Sequence, residues 1–184
     1  MVDIRLVQNP SFPSLSVPLD WNLLSNGTLD TSADIETAIL MMLGTDKLAQ
    51  PDDQLPDPHS SDRRGWWGDY QADQIWGGWP VGWRGWEMAR AKIQDSNALG
   101  GSTVSIIQDM LREGLTPFVQ NKIISNFDLL VQRNSTDRQQ IDAFITLFRG
   151  NNELKMKFAI FTNVSSITST PNLSGEGPVY IVTL

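Results

Sequence analysis

The chain has no cysteine and only one histidine among its 184 residues. The first absence excludes disulfides, thiolate chemistry and cysteine metal sites, and the second excludes a histidine-rich metal cluster. His59 lies in the turn-like run Pro56-Asp-Pro-His-Ser-Ser61, where a solvated imidazole is the simple reading. A nucleophilic triad needs a base beside a serine, and His59 is all that is on offer. Positive charge is also in short supply. Lys and Arg total 14 against 21 Asp and Glu, a formal charge of −7, which argues against binding along a nucleic-acid backbone. No apolar run approaches the roughly 20 residues that span a bilayer. The start, Met1-Val-Asp-Ile-Arg5, lacks the basic and apolar parts of a signal peptide. The expectation is a chain made and used inside a cell, or assembled there into something larger. The sequons at Asn26, Asn134, Asn163 and Asn172 then carry no meaning.

What the chain does have is tryptophan set among glycine. Trp66, Trp67, Trp76, Trp79, Trp83 and Trp86 are six of its seven tryptophans. Gly65, Gly68, Gly77, Gly78, Gly82 and Gly85 lie between them. That run is too glycine-rich for a helix interior and too irregular for a strand, so residues 61–86 read as a long ordered loop held by indole rings. Trp66 and Trp67 are expected to be largely buried. Arg63 or Arg64 is expected to pair with a carboxylate or with loop carbonyls.

Around this loop the patterns change period. Val2, Ile4 and Leu6 alternate as a short strand, Pro10, Pro13 and Pro18 hold the chain extended, and Asn26-Gly27 signals a hairpin with a type I′ turn. Asp30 to Ala33 offer caps for a helix with Ile35, Ala38, Ile39, Met42 and Leu43 on one stripe, ended by Gly44. An acidic, proline-rich connector over 49–62 leads into the Trp segment. A second helix is expected from Trp83 through Ile93. A third is capped by Ser102, carries Val104, Ile106, Ile107, Met110 and Leu111, and ends at Glu113-Gly114 before Pro117. Period 2 then takes over. Ile123, Phe127, Leu129 and Val131, then Ile141, Ala143, Ile145 and Leu147, then Leu154, Met156, Phe158 and Ile160 predict an antiparallel meander with one buried face. Lys155 and Lys157 oppose the last set. Residues 163–178 are rich in Ser, Thr, Pro and Gly, and Val179–Leu184 is a β-prone run that can pair at home or on another chain.

The fold class expected is α+β, a small antiparallel sheet on two to three helices with an N-terminal hairpin. The chain is expected to be one domain over 1–184. It divides into a β arm (1–30), a helical part (31–120), the meander (121–162) and a C-terminal extension (163–184). Lys155, Lys157, Val179, Tyr180, Ile181 and Val182 are its candidate interface residues. No catalytic, cofactor or metal residue is assigned. Asp62, Asp69, Asp73 and Glu87 lie near aromatic rings and invite comparison with a glycosidase acid pair. The plainer reading is that they neutralise Arg63, Arg64, Arg84 and Arg90 and cap backbone donors in a glycine loop. Gly77-Gly78 and Gly100-Gly101 lack the spacing and lysine of a phosphate loop.

Several stretches together resemble a known family: Leu29-Asp-Thr-Ser-Ala-Asp-Ile-Glu-Thr-Ala-Ile39, Thr45-Asp46, Asp52-Asp-Gln-Leu-Pro56, and above all Asp62-Arg-Arg-Gly-Trp-Trp-Gly-Asp69. Ala89-Arg-Ala-Lys-Ile93 and Gly101-Ser-Thr103 fit the same pattern. They look like the Mu-like contractile phage baseplate protein family, which is similar to the tail-sheath initiator, or lysozyme-like baseplate wedge component, of other contractile tails. The resemblance covers roughly residues 20–133, and the octet Asp62–Asp69 (with Arg63, Arg64, Gly65, Trp66, Trp67 and Gly68) is its most specific part. It implies a non-enzymatic virion protein of the tail baseplate, assembled in the host cytoplasm and present in six copies around the tail tube. It would join wedge and hub proteins to the first ring of sheath, whose arms extend its sheet by strand addition. A glycan-binding or glycan-hydrolysing protein built on the Trp loop is the alternative.

Overall fold

The computed structural model describes residues 4–8, 19–71, 74, 78–94, 102–162 and 179–184. Val2, Pro10, Pro13, Pro18, Asp73, Trp76, Gly77, Gly100, Gly101 and the 163–178 segment lie outside the described residues. The architecture is α+β. Strands β1 (Leu6–Gln8) and β2 (Leu19–Trp21) form an antiparallel ribbon. Helix α1 (Asp34–Leu43) follows, then the Trp segment, then helix α2 (Thr103–Gln120). Strands β3 (Asn126–Arg133), β4 (Gln140–Arg149), β5 (Asn152–Phe161) and β6 (Val179–Thr183) make the main sheet in that order. The meander β3–β4–β5 is antiparallel, and β6 joins β5 in parallel, with Phe158 opposite Tyr180.

Burial explains why these segments take these forms. In α2 the buried residues Thr103, Ile107, Met110, Leu111, Gly114, Leu115 and Phe118 recur at helical spacing, so the helix persists because one face is packed. The Ser102 hydroxyl accepts from the Ser105 amide at its start. Neither Gly114 nor Pro117 ends it, contrary to the sequence expectation. Gly114 lies where a Cβ would sit 2.8 Å from the Met42 sulfur, so it lets α1 and α2 approach. Pro117 falls in the last turn, where burial of Leu115 and Phe118 outweighs its local cost.

Helix α1 starts at Asp34 without a side-chain cap from the 30–33 run. Asp30 instead takes the Ser32 amide and hydroxyl and the Asn22 amide group, and these bonds pull its pKa down to about 2. The expected helix from Trp83 is only a 3-10 turn, Arg84–Met88, after which the chain runs on without helix through 91–94. The turn at Asn26-Gly27 also differs. Gly27 alone has positive φ (+80°) and its amide bonds to Leu24, so the loop is a turn closed by a left-handed glycine and not type I′.

The sheet's inner face supplies Val131, Ile141, Ala143, Ile145, Leu147, Met156, Phe158 and Ile160 to one core with Ile39, Leu40, Leu43, Ile107, Leu111 and Leu115. The outer face is not simply solvated, as the alternation of lysines suggested. Lys157, Ala159 and Phe161 are buried there, and only Lys155 of the two lysines is exposed. Strand β6 is anchored by Tyr180. Its ring stacks on Phe158 at 5.5 Å and its hydroxyl donates to the Glu36 carboxylate, which lies 3.5 Å from Arg5. Burial and the Glu36 carboxylate both push the Tyr180 pKa up.

One junction holds the Trp segment to this core. Trp83 exchanges backbone hydrogen bonds with Thr45 and Lys47 (3.2 and 3.1 Å), and its indole N–H donates to the Leu43 carbonyl at 2.9 Å. Gly82 precedes it with φ +98°, and a Cβ there would collide with the Thr45 carbonyl. Gly27, at φ +80°, has open space around it. Gly27→Ala should therefore cost only the left-handed backbone penalty, about 1–2 kcal/mol. Gly82→Ala should cost distinctly more, because the backbone clash adds to that penalty. Urea unfolding of the two variants side by side checks this, and equal losses would show that the junction gives way freely.

Candidate interaction surfaces

The Trp segment has an inner and an outer half. In the inner half Trp83 and Trp86 are 3% and 4% exposed, and the Trp86 indole donates to the Lys47 carbonyl at 2.8 Å. Between them Arg84 is the centre of a charge cluster. Its guanidinium reaches Asp53 at 2.7 Å, Glu113 at 3.0 Å and Glu87 at 3.5 Å, and Lys47 closes on Glu113 at 2.8 Å. The cluster ties the connector, the 45–47 segment and α2 to the Trp loop. Of its members the sequence suggested only Glu87 beside Arg84. Asp53 and Glu113 lie 31 and 29 residues away, and no local spacing marks them.

The cluster's electrostatics are uneven. Burial works against the Arg84 charge, but Asp53 and Glu113 overcome it and hold the pKa above its usual value. Burial likewise opposes ionisation of Asp53 and Glu113, yet hydrogen bonds from Arg84, and for Glu113 from Lys47, pull both down. Glu87 goes the other way. Burial pushes its pKa up to about 7, Arg84 only partly offsets this, and the Asp53 and Glu113 charges add to the rise. Its Oε1 is buried without a hydrogen-bond partner.

The outer half contradicts the expectation of burial. Trp67 is 85% exposed, Tyr70 76% and Trp66 37%, so Trp66 and Trp67 are not core residues. Their neighbourhood is nevertheless ordered. Arg63 donates to the carbonyls of Gln50 and of Pro51, the latter at 2.7 Å. Arg64 pairs with Asp46 at 2.7 Å and sits 4.8 Å from the Trp86 ring centre. Asp62 accepts the Arg64 amide and Asp69 the Val81 amide, so these two acids cap backbone donors, as expected of them in a glycine loop. Gly65 packs against Leu48, and Gly68 lies under the Trp66 ring.

Of two further surfaces, only the sheet edge was expected from the sequence. A groove of about 550 Å³ runs between the helices, lined by Ile35, Ala38, Met41, Trp79, Phe118 and Ile123 among others. The other is the free side of β3. The Asn134 amide donates to the Gln140 carbonyl at 3.0 Å. With the β3–β4 register this turns the even-numbered amides of β3 toward β4 and those of Phe127, Leu129 and Val131 away from it. Among the described residues no strand pairs on that side.

The candidate interface residues fall mostly inside the chain's own sheet. Val179, Tyr180, Ile181 and Val182 are in the ladder with β5, and Lys157 and Tyr180 are buried. Lys155 is exposed beside Glu153 at 3.4 Å. The β6 segment is thus already used at home, because Tyr180 finds its partners in Phe158 and Glu36. Among the described residues no cluster of three metal-ligating side chains occurs, and no helix is long and apolar enough to cross a membrane.

Comparison with known proteins agrees with the sequence resemblance. A family model described as Phage protein GP46 matches residues 35–154. Baseplate protein gp46 of Escherichia phage Mu is 42% identical over 62 residues, which is 34% of this chain and 39% of that relative. The match therefore spans well under two thirds of the relative's length. No solved structure matches.

The raised Glu87 pKa gives a testable pH dependence. A carboxyl with a folded pKa of about 7 and an unfolded one of 4.5 retains its proton longer when folded. Its contribution is fully present below pH 4.5 and is lost as pH rises through 7. Glu87→Gln removes that loss. The melting temperature of Glu87→Gln relative to wild type should rise between about pH 4.5 and 7 and level off above. A difference that stays constant with pH would mean that folding leaves the Glu87 pKa unchanged.

Proposed function

The chain belongs to the Phage protein GP46 family, and from that membership we propose that it is a structural component of a contractile phage tail baseplate. In this reading residues 1–184 act as one domain without catalysis. Wedge, tube and hub proteins hold it in place, in six copies around the tube, and it is assembled into the virion from the host cytoplasm. It joins the wedge to the first sheath ring and starts the sheath by accepting an extended arm as an added strand.

The observation that carries the last step is the side of β3 on which no strand pairs among the described residues. Its amides at Phe127, Leu129 and Val131 face away from β4, while the same residues pack their side chains toward the core. Monomeric proteins commonly blunt such edges. An assembly protein can leave one open, because backbone pairing accepts a strand without reading its side chains closely. Leu130, 56% exposed between Asp128 and Gln132, supplies an apolar contact on the outer face of the same strand.

Leu129→Pro removes one outward amide without breaking a bond to β4. The purified variant should keep a cooperative melt yet fail to support sheath polymerisation on reconstituted baseplates. Imaging of the assembled tail tests the reading as a whole. This chain should be found between wedge and sheath, with a strand from another chain on β3. Its absence from the particle overturns the structural role, and an uncovered β3 in the particle overturns strand addition alone.

A further inference from the structure

The outer half of the Trp segment presents a second surface that the sheet edge does not explain. Trp66, Trp67, Tyr70 and Leu48 are all large apolar residues with more than a third of their surface in water. The two indoles lie 5.5 Å apart at 49°. Exposed contiguous aromatics are characteristic of binding surfaces, and Trp and Tyr are enriched among the residues that dominate interface energies. The frame beneath them is fixed before any partner arrives. Arg63 and Arg64 are bound to Gln50, Pro51 and Asp46, Asp69 holds the Val81 amide, and Gly65 and Gly68 allow Leu48 and Trp66 to pack against backbone. Such preorganisation lowers the entropy cost of binding.

The charge around the patch selects the partner. Both arginines of the loop are turned to internal acceptors. Asp52, Asp57 and Asp62 are carboxylates of the same 50–70 loop, and Asp57 and Asp62 are exposed and spend hydrogen bonds only on nearby amides. Residues 50–70 hold five aspartates, Asp52, Asp53, Asp57, Asp62 and Asp69, against two arginines, and aromatic faces in an acidic loop favour cations through the ring quadrupole and through charge pairing. We infer that Trp66, Trp67 and Tyr70 form a docking surface for an arginine- or lysine-bearing segment of another protein. The baseplate reading enters only in making that protein a neighbouring chain of the tail.

The test uses the full-length chain and a synthetic octapeptide of alternating arginine and glycine, followed by tryptophan fluorescence. Binding should occur, weaken as salt rises, and fall about tenfold or more in Trp67→Ala and in Tyr70→Ala, the loss expected of an anchoring aromatic. Both variants should melt like wild type, since the side chains removed are mostly in water. Asp62→Asn should weaken binding less and flatten its salt dependence. Equal binding of a glutamate–glycine octapeptide, or no change in Trp67→Ala, overturns the inference. So does binding of a soluble oligosaccharide in place of the arginine peptide, or self-association of the chain through the patch in sedimentation. Arginine-peptide binding by a chain absent from the tail would leave this inference standing and defeat the baseplate reading. A tail in which Trp67 and Tyr70 meet no basic segment would do the reverse.

Discussion

The close approach of Gly82 to the Thr45 carbonyl is the constraint on which the rest of the molecule depends. With any side chain at 82, the backbone of Trp83 could not reach Thr45 and Lys47. Without that short ladder the Trp83 indole would lose its acceptor at Leu43 and its place between α1 and α2. The same logic of missing side chains recurs at Gly114, where the helices meet across Met42. Tryptophan supplies area and glycine supplies proximity, and neither alone would build this junction.

Charge then distributes the work between the two halves of the Trp segment. Arg84 sits among four ionisable partners or near-partners and locks the inner half to the connector and to α2. Breaking one member of such a cluster leaves the others poorly compensated, so it acts as a specificity device for the loop's path more than as a source of net stability. Arg63 and Arg64 perform the lighter task of stiffening the outer half near water, where ion pairs contribute little energy but still select a shape.

Much of this was legible in the residues, and the parts that were not have physical reasons. The period-2 runs over 127–160 fixed strand identity and inner face, because each strand's core set really alternates. The stripe of α1 was visible as Ile39, Met42 and Leu43, although Leu40 joins them because the core wraps further round the helix. Helix α2 ran past its apparent stop, since tertiary burial overrode Gly114 and Pro117. The helix expected after Trp83 shrank to a 3-10 turn, where Gly85 is covered by the Trp83 ring. Trp66 and Trp67 were misplaced because composition reports how apolar a residue is and not whether the fold covers it. Of Arg84's partners Glu87 is local, whereas Asp53 and Glu113 could not be read, as they come from two distant segments. The parallel return of β6 was equally hidden, since pairing partners are not encoded in a single strand's pattern.

The bond from Tyr180 to Glu36 joins residues 144 positions apart. Glu36 in turn holds Arg5, and Arg5 lies 3.7 Å from Asp30. A growing chain can form α1 early, but the buried Glu36 carboxylate has no hydroxyl to meet until the β6 segment has been synthesised. Contacts of such sequence separation close late and slowly. The last strand is therefore the piece that completes the packing of the first elements, by way of one contact 144 residues long in sequence. A chain that stopped short of β6 would keep Arg5 beside Glu36 and lose only the hydroxyl that ties the last strand to the first helix.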